Sequence, residues 1–363
     1  MEEIIALTQD LIRFQSVHAR PEEIHRCADF VAQWLADNGL PCRQWSVNGV
    51  PSLAVLPETG GVPVLLMSHI DVVDAPTALF TPRVDRGLLF GRGAIDDKYA
   101  VALSMVLCRD QWGRARERGD ARPAPVGVLI TGDEEVGGHN GAKPTLAEIR
   151  PEFCIALDGG RVGKIINREK GLIKMRLVAR GRAAHGARPW MGENAIDILI
   201  DDYLKIKAYF GQQTPDHWHR TLNFGLLRAG ESHNQVPDRA EGVMDIRYTE
   251  ADDVARLLDT IRRQMRSEVT VELLEPMFVS TPSPYQDLLV AASGGAAVGF
   301  AHGASDARFL GDLGIPGVIW GADGENSQHS SQEHVVIDSV GRLYTLLAGF
   351  LDAVRERGLG QGG

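Results

Sequence analysis

The residues able to do chemistry fall in short bursts, each just after an apolar run or inside a glycine-bearing loop. VPVLLM leads into SHID, with His69 and Asp71. VGVLIT leads into GDEE, with Asp133, Glu134 and Glu135, and FCIAL leads into DGG, with Asp158. The loop GRGAIDDK offers Asp96 and Asp97, and GENSQHSSQE offers His329 and Glu333. Singly, each burst has an ordinary explanation. Asp97 can cap a helix, D-E-E can be a solvated turn, and a loop histidine can simply face water. Converging at one sheet edge, these carboxylates repel one another unless a cation or bound protons balance them. Mixed imidazole and carboxylate donors suit zinc, with cobalt or manganese as substitutes. Two such ions need a bridging carboxylate, which a short Asp supplies, and together they activate a shared water and clamp developing charge. Adjacent Glu134 and Glu135 can then divide the work, one on metal and one as proton shuttle.

The elements that must hold these groups are those of an α/β sheet, where functional groups collect past the carboxyl ends of strands. Two amphipathic helices open the chain, one carrying Ile4, Ile5, Leu11, Ile12 and Phe14, the next Ile24, Cys27, Val31, Trp34 and Leu35. Pro21 suits the start of the second helix and Gly39 its stop. Strands are predicted at 52–56, 62–67, 126–131 and 154–157, with a helix at 99–108. Strands separated by helices imply parallel pairing. After Lys170 the order becomes strand 172–179, helix 194–210, strands 221–227 and 239–248, helix 252–265, strand 269–274. That is the split βαβ plan of a ferredoxin-like insert. The α/β style resumes with a helix at 286–298, a strand at 317–320 and a helix at 339–355, and GLGQGG closes the chain as a frayed tail.

Composition narrows the function. The chain has 363 residues, 44% apolar and 24% charged, as expected of a globular protein of two domains. Its net charge of -10 argues against a nucleic-acid partner and means that an anionic substrate needs locally placed arginines. The four cysteines are scattered without a C-x-x-C pair, as buried free thiols of a reducing compartment are. The acidic, amphipathic start is unlike a signal peptide, and no apolar run approaches the roughly 20 residues of a membrane helix. A cytoplasmic protein is expected. A G-x-S-x-G elbow and a P-loop pattern are both absent, which disfavours a serine hydrolase and a nucleotide-binding enzyme.

The set SHID, GRGAIDDK, TGDEEVGG, ALDGG and HSSQE, running in order through most of the chain, resembles a known family. It is that of the zinc-dependent deacylases and exopeptidases: acetylornithine deacetylase, succinyl-diaminopimelate desuccinylase, glutamate carboxypeptidase, tripeptidase and aminoacylase. The resemblance implies a mixed, mainly parallel sheet flanked by helices, formed by 1–170 and 281–363, with 171–280 inserted as a lid and dimerisation domain. It implies that His69 and Asp158 hold one metal, Glu135 and His329 the other, and that Asp96 bridges both. Asp71 would fix His69 by a hydrogen bond. Glu134 would be the general base, taking a proton from the water shared by the metals and returning it to the leaving amine.

The stretch GRAAHGARPWMGENAI matches the lid motif whose histidine, here His185, reaches a partner subunit's site and hydrogen-bonds the developing oxyanion. Asn234 in HNQVPD and Arg247 in MDIRY match positions that bind a substrate carboxylate. Ser305, Asp306 and Arg308 in HGASDARFL match a substrate-side loop. Asp158, where other members carry Glu, hints at the tripeptidase-like and acetylornithine-deacetylase-like members. The expectation is a homodimeric hydrolase cleaving an amide of an N-acyl amino acid or short peptide. The alternative, a degenerate member acting as a binding or regulatory dimer, is disfavoured because every ligand position, Asp71 and Glu134 are present.

Overall fold

Runs such as VPVLLM and VGVLIT, apolar at consecutive positions, suit strands covered on both faces. In the computed structural model of the chain they form the strands Val64–His69 and Val126–Thr131, and every residue of both is buried. The structure describes all residues except 58–60, 120–123, 325 and 361–363, so the last three residues of the expected tail lie outside it. Two units are present. The first comprises Met1–Arg168, Phe278–Ala301 and Ser305–Gly363, the second Glu169–Met277 with His302–Ala304.

The first unit is built on a sheet that is nine-stranded among the described residues. At its centre Val64–His69 lies parallel to both Val126–Thr131 and Phe153–Ala156, and Gly317–Ile319 runs parallel to Phe153–Ala156 on the far side. The flanks are antiparallel, with Val50–Val55 beside Val126–Thr131 and Lys164–Glu169 beside Gly317–Ile319. Because successive side chains of a strand point to opposite faces, the sheet separates two cores. Val64, Leu66, Val128 and Ile155 pack with the helices Glu2–Ile12, Pro21–Asp37, Lys98–Glu117 and Ile337–Glu356. Leu65, Met67, Leu129 and Ala156 pack on the other face with Ala142–Ile149 and Arg308–Leu313. Pro21 opens its helix as expected, and Gly39 follows the helix end with φ +67°. Of the cysteines, Cys27, Cys108 and Cys154 are buried, and all four are free thiols.

One expected helix is shorter than the pattern suggests. The segment 286–298 forms a helix only over Pro284–Ala292, and Val298 belongs to the strand Ala297–Ala301. Gly294 and Gly295, both at positive φ, turn the chain between them.

The second unit follows the split βαβ order, with Gly171–Arg180, Thr221–Ala229, Arg239–Tyr248 and Glu268–Glu275 forming one antiparallel sheet. Gly171–Arg180 and Arg239–Tyr248 are its central strands, with Thr221–Ala229 at one edge and Glu268–Glu275 at the other. Alternate residues Ile173, Met175, Leu177 and Ala179 face a core shared with the helices Ala195–Lys207 and Val254–Gln264. Asn194 and Asp253 cap these helices, accepting from the amides of Ile196 and Arg256. Leu226 and Leu227 on an edge strand, and Ile200 and Leu204 on a helix, remain exposed.

Candidate metal centre

Sheet register brings the first donors together. His69 pairs with Thr131 across parallel strands, so the SHID and GDEE turns leave the sheet side by side. The amide of Leu157 donates to the carbonyl of Met67 at 2.8 Å, which places Asp158 beside them. Gly159 and Gly160, both at positive φ, then turn the chain away. Asp96 arrives from the loop that precedes the helix Lys98–Glu117, through a cis peptide to Asp97. His329 arrives from the late loop, itself at φ +60°.

The expected ligands converge. His69 Nε2 lies 3.1 Å from Asp96 Oδ1 and 3.9 Å from Asp158 Oδ2. His329 Nε2 lies 3.1 Å from Asp96 Oδ2 and 3.3 Å from Glu135 Oε2. The two oxygens of Asp96 therefore face two different imidazoles. Donor atoms of His69, Glu134 and Asp158 all lie within 4.8 Å of one another, and so do those of Asp96, Glu135 and His329.

Asp71 does more than the sequence indicates. Its main-chain oxygen lies 3.0 Å from His69 Nδ1, and its Oδ1 lies 3.4 Å from that same nitrogen. Its two carboxylate oxygens also accept the backbone amides of Glu134 at 3.1 Å and Glu135 at 2.9 Å. A single buried carboxylate thus sets both the imidazole and the turn Glu134–Val136. Glu135 is held further by the amide of Val73, which donates to its Oε1 at 3.2 Å.

The electrostatics suit a cation. Burial works against a charged His69, yet the carboxylates of Asp71 and Asp96 outweigh it and lift its pKa well above the usual range. Hydrogen bonds with Asp96 and Glu135 push His329 up to about 10. Burial disfavours the charge of Asp96, but the two imidazoles hold its pKa well below the ordinary value. The carboxylates thus favour the protonated form of each imidazole, and a metal binding at such a site would displace that proton. The donor set of two imidazoles and several carboxylates fits divalent zinc, cobalt or manganese.

Glu134 lines a small cavity with Met67, Ser68, His69, Thr131, Ala156, Asp158, Ser305 and Asp306. Desolvation, then the neighbouring charges of Asp158 and Asp306, raise its pKa well above the ordinary carboxylate value. Asp306 is itself pushed up to about 7, first by burial, with Asp133 adding to it. Sequence reading missed how Asp306 is seated. A Cβ at Gly138 would come within 1.9 Å of its Oδ1, so TGDEEVGG needs glycine there for packing as well as for φ +63°. Arg308, expected to bind substrate, is buried; its Nη1 donates to the carbonyl of Ser305 at 3.0 Å and its Nη2 to Asp306 at 3.3 Å.

In the second unit, His185 is exposed and pairs across a short antiparallel bridge with Gln235, beside Asn234. His185 Nδ1 accepts from the amide of Ala187 at 3.1 Å, and Asn234 Oδ1 accepts from Ser232 at 2.6 Å. Arg247 donates to both oxygens of Asp245, at 2.8 and 3.1 Å. The central strands run from the pair Arg180 and Arg239 to the pair Leu172 and Arg247. His185 and Asn234 flank the first pair in sequence. At about 3.4 Å per residue, the two ends are roughly 27 Å apart.

The chain is similar to known proteins over most of its length. The model of Peptidase family M20/M25/M40 matches residues 65–353. A succinyl-diaminopimelate desuccinylase of Methylobacterium sp. (strain 4-46) is 29% identical, over 96% of this chain and 95% of its own. A probable carboxypeptidase of Aspergillus terreus is 28% identical over 72% of this chain, which spans 64% of that relative's length. Among solved structures, a tripeptidase of Staphylococcus aureus superposes with a TM-score of 0.80 at 21% identity, covering 98% of both chains. A metallo-carboxypeptidase of Sulfolobus solfataricus superposes with a TM-score of 0.78 at 18% identity, covering 97% of this chain and 99% of the other. No helix among the described residues is long and apolar enough to cross a membrane.

Proposed function

The chain belongs to peptidase family M20/M25/M40, and from that premise we propose a two-metal hydrolase that cleaves an amide of an N-acyl amino acid or short peptide, with Glu134 as general base. That it is a metal-dependent hydrolase of peptides or acyl amino acids follows from the family. The two-metal reading rests above all on Asp96, whose two oxygens reach His69 and His329, each at 3.1 Å. In this reading His69 and Asp158 hold one divalent ion, Glu135 and His329 the other, and Asp96 both. Zinc is the first choice, with cobalt or manganese as substitutes. When bound, such ions supply Lewis acidity and make water a stronger acid.

The remaining work falls to the protein. Glu134 takes a proton from the attacking water and returns it to the departing amine. Its place in the cavity beside Asp158 and Ser305 supports this role. Asp71 keeps Glu134 and Glu135 in register by accepting both their amides. Ser305 lies on the substrate side. Arg308 acts through Asp306 and the Ser305 backbone, which it holds. The relatives named as desuccinylase and carboxypeptidase support the choice of substrate class. The free cysteines agree with a reducing compartment, so the reading places the enzyme in the cytoplasm.

The reading also includes a homodimer through the second unit, in which His185 stabilises the oxyanion in the other copy's site and Asn234 and Arg247 bind a substrate carboxylate. Leu226 and Leu227 on the edge strand, and Ile200 and Leu204 on a helix, are exposed apolar residues that such a dimer would cover. The roughly 27 Å between the ends of the central strands, with His185 and Asn234 beyond one end and Arg247 at the other, supports drawing the first two from one copy and Arg247 from the other. A degenerate binding dimer finds no support, because every acid and imidazole of the scheme is present.

The test is metal analysis joined to an activity screen. About two divalent ions per chain are expected, with hydrolysis among N-acetyl and N-succinyl amino acids and di- and tripeptides that stops on chelation and returns on reloading. A protein that takes up no ions after careful loading would sink the reading.

A further inference from the structure

The scheme above leaves unused a buried ion pair beside the centre. Arg92 and Glu333 stand 241 positions apart in sequence, both side chains are at most 3% exposed, and Arg92 Nη1 donates to Glu333 Oε2. The other carboxylate oxygen of Glu333 accepts the amide of Gly93 at 2.8 Å, and its main-chain oxygen accepts that of Gly91 at 3.1 Å. One residue of the His329 loop therefore holds three donors of the Gly91–Gly93 turn, which leads directly to Asp96.

These two segments need such a tie. The strand His334–Val336 pairs with Leu88–Phe90, but that ladder ends at His334 and Phe90, short of both ligands. Beyond it Gly91, Gly93 and His329 all adopt positive φ, and the His329 side chain is 52% exposed. Ser327 closes the late loop on itself, donating to and accepting from the backbone of His334, each at 3.1 Å. An apolar pair at 92 and 333 would fill the same space without burying two charges. It would leave the amide of Gly93 with no acceptor and the turn free to shift.

We propose that Arg92 and Glu333 are positioning residues that lock the His329 loop to the Asp96 loop, and so set the affinity of the Asp96, Glu135 and His329 half of the centre. Neither residue contacts metal or substrate in this role. The inference rests on the two-metal reading.

Zinc titration of the chelated protein tests both claims separately. Wild type should bind two ions. In Glu333→Gln, one of the two sites should weaken by about ten- to a hundredfold, the size of effect seen when supports behind metal ligands are removed. The other site, which shares Asp96 but neither Glu135 nor His329, should weaken clearly less. Adding Glu333→Gln to His329→Gln should weaken the remaining ion far less than Glu333→Gln weakens the affected site in wild type. Arg92→Lys, which keeps the charge but not the planar fork, should fall between wild type and Glu333→Gln. The double variant Arg92→Met, Glu333→Leu leaves no lone buried charge, so it tests the same loss should a single variant fail to fold. Wild-type affinity at both sites in that double variant would overturn the inference. So would equal weakening of both sites, the mark of a merely structural pair. If wild type itself binds fewer than two ions, the two-metal reading fails first, and this inference with it.

Discussion

The two halves of the proposed centre are built differently. His69 and Asp158 stand at the ends of parallel strands whose residues are all buried, so the packing that forms the sheet also fixes them. Glu135 and His329 sit on a short turn and a loop, and their positions depend on polar ties: the amide of Val73, the carboxylate of Asp71, the Arg92–Glu333 pair. The first half inherits its precision from the fold. The second has to be assembled by individual polar contacts, one of which, the Asp71 carboxylate, also faces His69. Asp71 and Asp96 are the places where the halves meet.

Glu134 is the sharpest test of this difference, because it stands in space with His69 and Asp158 yet is assigned to neither ion. Glu134→Gln should lower kcat by about 10²–10⁴-fold while both ions stay bound. Loss of an ion with activity would make Glu134 a ligand of the strand-end half. Next in size is Asp71→Ala, which should weaken both ions by about ten- to a hundredfold, because the carboxylate supports His69 and the amides of Glu134 and Glu135 alike. Weakening of one ion alone would mean that one of these contacts is idle.

Gly138→Ala probes the wall of the strand-end half. It forces a Cβ onto φ +63° and against Asp306, and denaturant melts should show about 1–3 kcal/mol of lost stability. The smallest effect concerns pH. In chelated protein the pKa of His329 is raised from 6.5 to about 10 by Asp96 and Glu135. A raised histidine contributes its stability fully below its unfolded value, and that contribution is lost as pH climbs through the folded one. Chelated wild type should therefore lose a small increment between pH 6.5 and 10, small because the side chain is half exposed and screened. Chelated His329→Gln should show a flatter profile across the same range.

Sequence made the strand-end half more legible than the loop half. Acids and histidines directly after apolar runs point to the edge of a sheet, and His69, Glu134 and Asp158 converge there. The split βαβ order was readable too, since alternation in 172–179 reports a strand with one buried face. The helix at 286–298 overran its true end because apolar spacing continues past Gly294 and Gly295, and only the backbone shows the turn. The strand Lys164–Glu169 went unseen, because its charged residues interrupt any apolar run. Arg92 and Glu333 were both in view, but nothing local in a sequence reveals that two charges so far apart meet in the interior. For Arg308 the family pattern in HGASDARFL implied a substrate-side role, and the structure adds that its guanidinium is buried and engaged with its own loop.

The separation of His185 from Arg247 along the central strands of the second unit reaches beyond geometry. Under the proposed sharing of sites, an isolated chain carries every ligand and the base yet lacks the oxyanion donor. At dilutions where copies part, specific activity should fall with concentration, and assembly should set the onset of turnover in freshly made protein. On that proposal the hydrolase would stay quiet toward acyl amino acids and peptides until enough of it had accumulated to find its own kind.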